Sequence, residues 1–192
     1  MKKLFFCLIL NILLTSSCAT HGPFIVGNPH GGIVQYGEGR HPGIDFSISN
    51  GTPIITPSDG VVFYIGEPDS KERWGGGIFV GISHGEHFNT LYGHLTKVFV
   101  QKGQSLKRGQ LIGFSGSSNY GYAHLHLGVC KITENLRDCQ SYSKTYDPDN
   151  FWLGGKAQCF DPKMDYSRYS QKDITLPVAC GEYAKELMAR IK

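Results

Sequence analysis

The chain is short of charge and has no long apolar run. Asp, Glu, Lys and Arg make up 18% of its 192 residues and leave a formal net charge of +3. That balance excludes the basic stripe on which nucleic-acid binding usually depends. The longest apolar stretch, Leu4 to Leu14 interrupted only by Asn11, covers 11 residues. A membrane-spanning helix needs ~20. Sustained 3.6-residue periodicity is absent before residue 180, so the body of the chain does not read as helical. No Cys-x-x-Cys spacing occurs, which argues against a thiolate metal site. The 25 glycines follow no Gly-X-Y period, which excludes a collagen-like chain. With 12% aromatic residues, disorder throughout is excluded as well.

What is present begins with an export signal. Met1-Lys2-Lys3, the short apolar run and the small-residue stretch Thr15-Ser16-Ser17-Cys18-Ala19 read as a secretory signal peptide over residues 1–19. Cys18 behind small residues resembles a lipobox, in which the cysteine is lipidated, although Thr15 stands where that pattern prefers Leu. Ser17-Cys18-Ala19 also suits ordinary cleavage after Ala19. The lipoprotein is the favoured reading, and both stay open. Removing residues 1–19 lowers the net charge to +1, with 17 basic against 16 acidic residues. Export also takes Cys7 and Cys18 out of the free cysteines and leaves Cys130, Cys139, Cys159 and Cys180. Four cysteines in an oxidising compartment allow three pairings. Proximity favours Cys130–Cys139 with Cys159–Cys180, each closing a loop at ~3 kcal/mol in the chain-entropy picture.

Residues 20–32, with Gly, Pro and Asn, read as a loose lead-in. From there short apolar runs alternate with turns. Strands are expected at Ile44–Ile48, Pro53–Ile55, Val61–Ile65, Ile78–Ser83, Asn89–Leu95, Leu111–Ser115 and His124–Val129. Asn50-Gly51, Asp59-Gly60 and His84-Gly85 are among the separators and suit tight turns. Residues 131–180 show little periodicity. Glu182 to Ile191 reads as a short amphipathic helix with Ala184, Leu187, Met188 and Ile191 on its apolar face. The expected fold is therefore mainly β, a compact antiparallel sheet of two-layer or barrel-sandwich type, with a C-terminal extension that contains a helix.

Three clusters carry chemistry: His41-Pro42-Gly43-Ile44-Asp45, Leu91-Tyr92-Gly93-His94-Leu95 and His124-Leu125-His126. On a strand, residues two apart share a face. His124 and His126 therefore look into one site while Leu125 faces the core, and one can bind a metal beside a second that moves protons. His41 and Asp45 lie farther apart. Extended, four residues span ~13 Å, too far for two side chains to meet at one ion with bonds of ~2.0–2.2 Å. Pro42-Gly43 must therefore bend the chain, and Gly43 leaves room beside the metal. Two His and one Asp make a three-ligand zinc site with an open fourth position, an arrangement that suits hydrolysis. Further imidazoles can shuttle protons.

Together with Gly51-Thr52-Pro53-Ile54, Gly77-Ile78-Phe79-Val80, Lys102-Gly103-Gln104-Ser105-Leu106, Arg108-Gly109-Gln110-Leu111-Ile112-Gly113 and Asp147-Pro148 ahead of Phe151-Trp152-Leu153, these clusters give the sequence a recognisable cast. Over residues 33–153 it resembles the lysostaphin-type, LytM-like zinc metallopeptidases, which cut peptide cross-links in bacterial peptidoglycan. The resemblance implies one zinc ion on His41, Asp45 and His126. It implies catalytic roles for His94 and His124, without dividing general base from water-orienting and oxyanion-stabilising group. Some relatives carry a tyrosine shortly before the first zinc histidine, which makes Tyr36 a third candidate, although its spacing to His41 departs from the pattern. Tyr122-Ala123 stands where the family usually has Gly-Pro, and the segment from Cys130 to residue 144 looks like an insertion at the cleft edge.

The resulting organisation is a signal peptide at 1–19, a lead-in at 20–32, a zinc metallopeptidase domain at 33–153 and an extension at 154–192. The implied function is an envelope endopeptidase acting on peptidoglycan stem peptides or cross-bridges. It would be exported, periplasmic or outer-membrane-attached through Cys18 or else secreted, and monomeric, with no nucleic-acid partner. The alternative is a non-catalytic relative that binds the wall or activates an amidase. Such relatives typically lack a metal ligand, and this chain has all three. His84, before Gly85, reads as a structural turn residue, while His87 reads as exposed and His21 and His30 as lead-in residues. Glu38 reads as a loop charge, and Trp74 as either groove flank or surface packing.

Overall fold

A computed structural model describes residues 25–33, 39–66 and 75–190. The signal peptide over 1–19, the lipid anchor at Cys18, and Tyr36, Glu38 and Trp74 lie outside the described residues. Ten strands among the described residues form one antiparallel sheet. They are β1 (Ile25–Asn28), β2 (Ile44–Ser47), β3 (Pro53–Ile55), β4 (Gly60–Gly66), β5 (Ile78–Ser83), β6 (Asn89–Val98), β7 (Ser105–Leu106), β8 (Leu111–Ser117), β9 (Ala123–Cys130) and β10 (Thr145–Tyr146). The path runs β1-β2-β9-β8-β6-β5-β4-β7, with β10 on β9, β3 on β8 and a further pairing of β9 with β6. The path ends at β1 and β7, so the sheet does not close. Each of the seven expected strands is present, with ends shifted by up to three residues.

One expectation is corrected. The lead-in is not loose over residues 25–28, because β1 pairs antiparallel with β2, Val26 facing Phe46 and Asn28 facing Asp45. Four residues including a glycine carry too little periodicity to announce a strand. Backbone pairing with β2 makes it one. β7 and β10, two residues each, escape for the same reason.

The core is built from apolar positions of β2, β3, β4, β5, β6, β8 and β9. Ile54, Val80, Ile82, Tyr92, Leu95, Ile112, Leu125 and Leu127 are fully buried within it. Ile174, Leu176 and Val178 of the extension belong to the same cluster. At ~1.5–3 kcal/mol for each large apolar side chain fully buried, this tail is a structural part of the sheet's core. Main-chain bonds fix it there: Ile55 N–H donates to Pro177 O at 3.0 Å and Leu153 N–H to Ile174 O at 2.9 Å, while Phe160 N–H to Val178 O at 2.9 Å ties the extension to itself. The Arg108 guanidinium, half-buried, donates to Asp173 O at 2.8 Å from the sheet side.

Both disulfides follow sequence proximity, Cys130–Cys139 and Cys159–Cys180. The first staples residues 131–139 to the end of β9. The second closes the extension just before α1 (Gly181–Ala189). Leu187 anchors α1 against Ile55 and Phe160. Met188, expected on the apolar face, is 40% exposed.

Candidate metal centre

The sheet brings the three histidine clusters to one groove of about 720 Å³. β2 and β9 pair so that Asp45 stands directly opposite His126. Cross-strand partners point to the same face, and the Asp45 carboxylate lies 3.0 Å from His126 Nδ1. His41 precedes β2, and the chain bends through Pro42-Gly43 before the strand begins at Ile44. The bend returns His41 Nε2 to within 3.2 Å of Asp45 Oδ1 and 3.1 Å of His126 Nδ1. Two glycines make the approach possible. A Cβ on Gly43 would run into Leu127 O and sit 2.9 Å from His126 Nε2, and one on Gly93, opposite His126 on β6, would sit 2.8 Å from the Phe79 ring and 3.2 Å from His126 Cβ.

His94 reaches the groove by a β-bulge. Ile78 pairs with Leu95 and Val80 with Tyr92, so β6 spends one more residue than β5 over this stretch. Strict alternation would send His94 to the Tyr92 side of the sheet. The extra residue reverses the faces, as bulges do. Leu95 joins Tyr92 in the main core, and His94 packs edge-on against Phe79 on the other side. His94 sits at φ 64°, and the described backbone contains no other non-glycine residue at positive φ.

Backbone carbonyls fix the tautomers of three imidazoles. Nδ1–H of His41 donates to Pro29 O at 3.2 Å, that of His94 to Gly76 O at 2.8 Å and that of His124 to Tyr122 O at 2.9 Å. Each ring therefore carries its lone pair on Nε2. His124 Nε2 lies 3.9 Å from Asp45 Oδ1, and the His94 and His124 rings are 4.5 Å apart.

His41 Nε2, His126 Nδ1 and the Asp45 oxygen thus crowd lone pairs into a triangle 3.0–3.2 Å on a side. At tetrahedral angles and bonds of ~2.0–2.2 Å, ligands of one zinc ion stand about 3.3–3.6 Å apart. The side chains therefore fit that ion closely, and a cation is the species that such a donor set favours. His41, His94 and His126 are each less than a tenth exposed. Burial opposes ionisation of Asp45, but its contacts with the His126 and His41 imidazoles outweigh it and hold the carboxyl far below the usual carboxylate range. Burial lowers His126 against the pull of Asp45. Burial, reinforced by His124 and His126, pushes His94 down to about 4, which leaves it neutral at pH 7 and able to accept a proton.

Among the described residues, the other histidines, His30, His84 and His87, stay outside the groove. His84 uses both ring nitrogens, with Nδ1–H on Asp59 O at 2.7 Å and Nε2 2.8 Å from the Thr90 hydroxyl. His87 is exposed. His30 is half-buried beside Tyr142, a contact that its Gly- and Pro-rich surroundings do not announce. Tyr122, Ala123, Gln140 and Tyr142 line the groove, so both places where the sequence departs from the family pattern form its wall.

Residues 39–139 match the model of Peptidase family M23. The chain is 41% identical over 87 residues to the peptidoglycan DD-endopeptidase ShyA of Vibrio cholerae, covering 45% of this chain and 19% of that protein. It is 36% identical over 92 residues to the uncharacterized lipoprotein YgeR of Escherichia coli, covering 48% and 35%. The chain thus spans about a fifth to a third of the length of these curated relatives. The solved catalytic domain of lysostaphin from Staphylococcus simulans superposes with a TM-score of 0.57 at 30% identity, covering 67% of this chain and 91% of that one.

Proposed function

The chain belongs to peptidase family M23, and from that premise we propose that it is an exported zinc endopeptidase that hydrolyses peptide cross-links of bacterial peptidoglycan. The observation that carries the proposal is the convergence of three lone-pair donors, His41 Nε2, Asp45 Oδ1 and His126 Nδ1, beside two further imidazoles in an open groove. His41, Asp45 and His126 would hold the zinc. Zinc bound there acidifies water and polarises a carbonyl.

The remaining work falls to this chain's own groups. His94, buried and neutral, offers Nε2 to take a proton from the attacking water and to return it to the leaving amine. His124, at the groove mouth with its Nδ1–H on Tyr122 O, presents the Nε2 lone pair and orients the attacking water by accepting a hydrogen bond from it. Tyr36 is a further candidate, for the contact to the developing oxyanion. Tyr122 and Tyr142 wall the groove, and its open form suits an extended peptide.

Residues 33–153 form the catalytic unit and residues 154–192 brace its core. Residues 1–19 direct export, with Cys18 as the lipid-anchor candidate. Two disulfides suit an oxidising envelope compartment. The working form is a monomer. Palmitate labelling that disappears in Cys18→Ala would support the anchor, and its absence from the wild type would remove it.

The decisive experiment is digestion of purified sacculi by the zinc-loaded mature protein. New muropeptide ends are expected, abolished by a chelator and by His126→Ala, and mass spectrometry of the products identifies the bond. Zinc-loaded protein that releases no new ends refutes the proposal.

A further inference from the structure

His41 is held by a turn, and the turn is held by residues outside the family match at both ends. Pro29 to Gly32 form the turn, closed by Gly32 N–H donating to Pro29 O at 3.1 Å. Its grip on His41 is threefold. Gly31 N–H donates to His41 O at 2.9 Å, His41 N–H donates to Gly32 O at 2.9 Å, and the imidazole Nδ1–H donates to Pro29 O. Main chain and ring of this one side chain are thus referenced to the same four residues.

A turn containing Gly31-Gly32 has little stiffness of its own. The structure supplies it through His30. The His30 ring lies on Tyr142, centroids 4.8 Å apart, and its Nε2 is 3.1 Å from the Thr145 hydroxyl. Thr145 spends its hydroxyl proton on Tyr142 O at 3.1 Å, so it accepts from His30 Nε2–H. Thr145 in turn pairs with Cys130, where the Cys130–Cys139 disulfide leaves β9. A continuous path therefore runs from the rigid sheet through Thr145 and Tyr142 to His30, across the turn to Pro29 O, and into His41.

We propose that His30 and Tyr142 are positioning residues for His41: they clamp the turn that aims its Nε2 at the metal. The inference rests on the zinc reading above. It extends that reading to residues 30 and 142–145, whereas the family match covers 39–139. The disulfide-stapled segment becomes part of the metal site's support as well as a wall of the groove. Outer partners that orient a ligating imidazole typically govern metal affinity by ~10–100-fold.

The test compares zinc affinity, measured by chelator competition, and the ligand-field spectrum of the Co²⁺-substituted protein in the full mature chain. His30→Ala is the informative variant, because His30 is not among the groove-lining residues and its loss leaves substrate contacts in place. Zinc affinity should fall ~10-fold or more, and the Co²⁺ bands should shift in position. Tyr142→Phe, which keeps the ring stack, should stay within about twofold of wild type. His30→Ala that retains the wild-type near-ultraviolet circular dichroism and binds zinc within about twofold of wild type overturns the clamp. Should His30→Ala not fold, Thr145→Val carries the same test, since it removes the hydroxyl that receives Nε2–H and donates to Tyr142 O. A wild-type chain that binds no zinc overturns the metal reading itself and is recognised in the wild-type arm alone.

Discussion

His84 makes folding stability depend on pH in a calculable way. Its side chain is 1% exposed, and burial pushes the imidazole down to about 4, against the pull of the Asp59 carbonyl and carboxylate and with Arg108 adding to the descent. In the unfolded chain it titrates near ~6.5. The folded value is the lower one, so the unfolded chain binds the proton first. The contribution is complete above pH ~6.5, declines as the pH falls from there, and is lost on passing through about 4. A gap of ~2.5 pH units at ~1.36 kcal/mol per unit amounts to about 3 kcal/mol. His84→Asn keeps a donor near the place of Nδ1 and cannot take up a proton. It should cost stability at pH 7.5, where the wild type enjoys the neutral ring and its bond to Thr90. Between pH 7.5 and 4 its stability should fall by about 3 kcal/mol less than that of the wild type. The assay is urea denaturation of both proteins, metal-free, at half-unit pH steps. Asp45 and the other carboxylates remote from position 84 titrate alike in the two chains and cancel in the difference. Parallel stability curves across that range would refute the assignment of a proton-resisting ring at position 84.

Two further substitutions probe the site and the tail. Gly43→Ala puts a Cβ onto Leu127 O and 2.8 Å from His126 Cε1, so zinc affinity by chelator competition should drop at least ~10-fold; unchanged affinity would mean that the bend before β2 relaxes freely. Ile174→Ala empties a fully buried place in the main core, and urea denaturation should report a loss of ~2–5 kcal/mol; a loss under ~1 kcal/mol would show the extension to be dispensable to the fold.

Local patterns made much of the β-structure legible. The short apolar runs at Pro53–Ile55, Ile78–Ser83 and His124–Val129, set off by turns, survive as β3, β5 and β9, whose inner residues are buried on both faces, and the two-residue period of a strand settles which side chains lie together. His124 and His126 share a face for the same reason. The short strands were invisible, since β1, β7 and β10 exist only through partners remote in sequence. The pairing of Asp45 with His126 spans 81 residues, and no local signal encodes it. Residue types suggest a two-His, one-Asp site, and the family resemblance is what assigns Asp45 and His126 to it.

His94 and His30 mark two different limits of reading a chain locally. Periodicity alone sends His94 into the core with Tyr92, and the bulge that turns it outward is a mismatch between two strands, one residue in excess on β6 against β5. A mismatch belongs to neither strand's own sequence, so only the pairing reveals it. His30 is harder, because its neighbours Gly27, Pro29, Gly31 and Gly32 argue for an unstructured approach to the domain. The ring acquires a role from Tyr142 and from Thr145, 115 residues away, in a segment whose position is itself set by the Cys130–Cys139 disulfide. Both residues gain their places from contacts that close late along the chain. The proposed ligand His41 is thereby held from outside the motif that announces it, through Pro29 O and the turn that carries it.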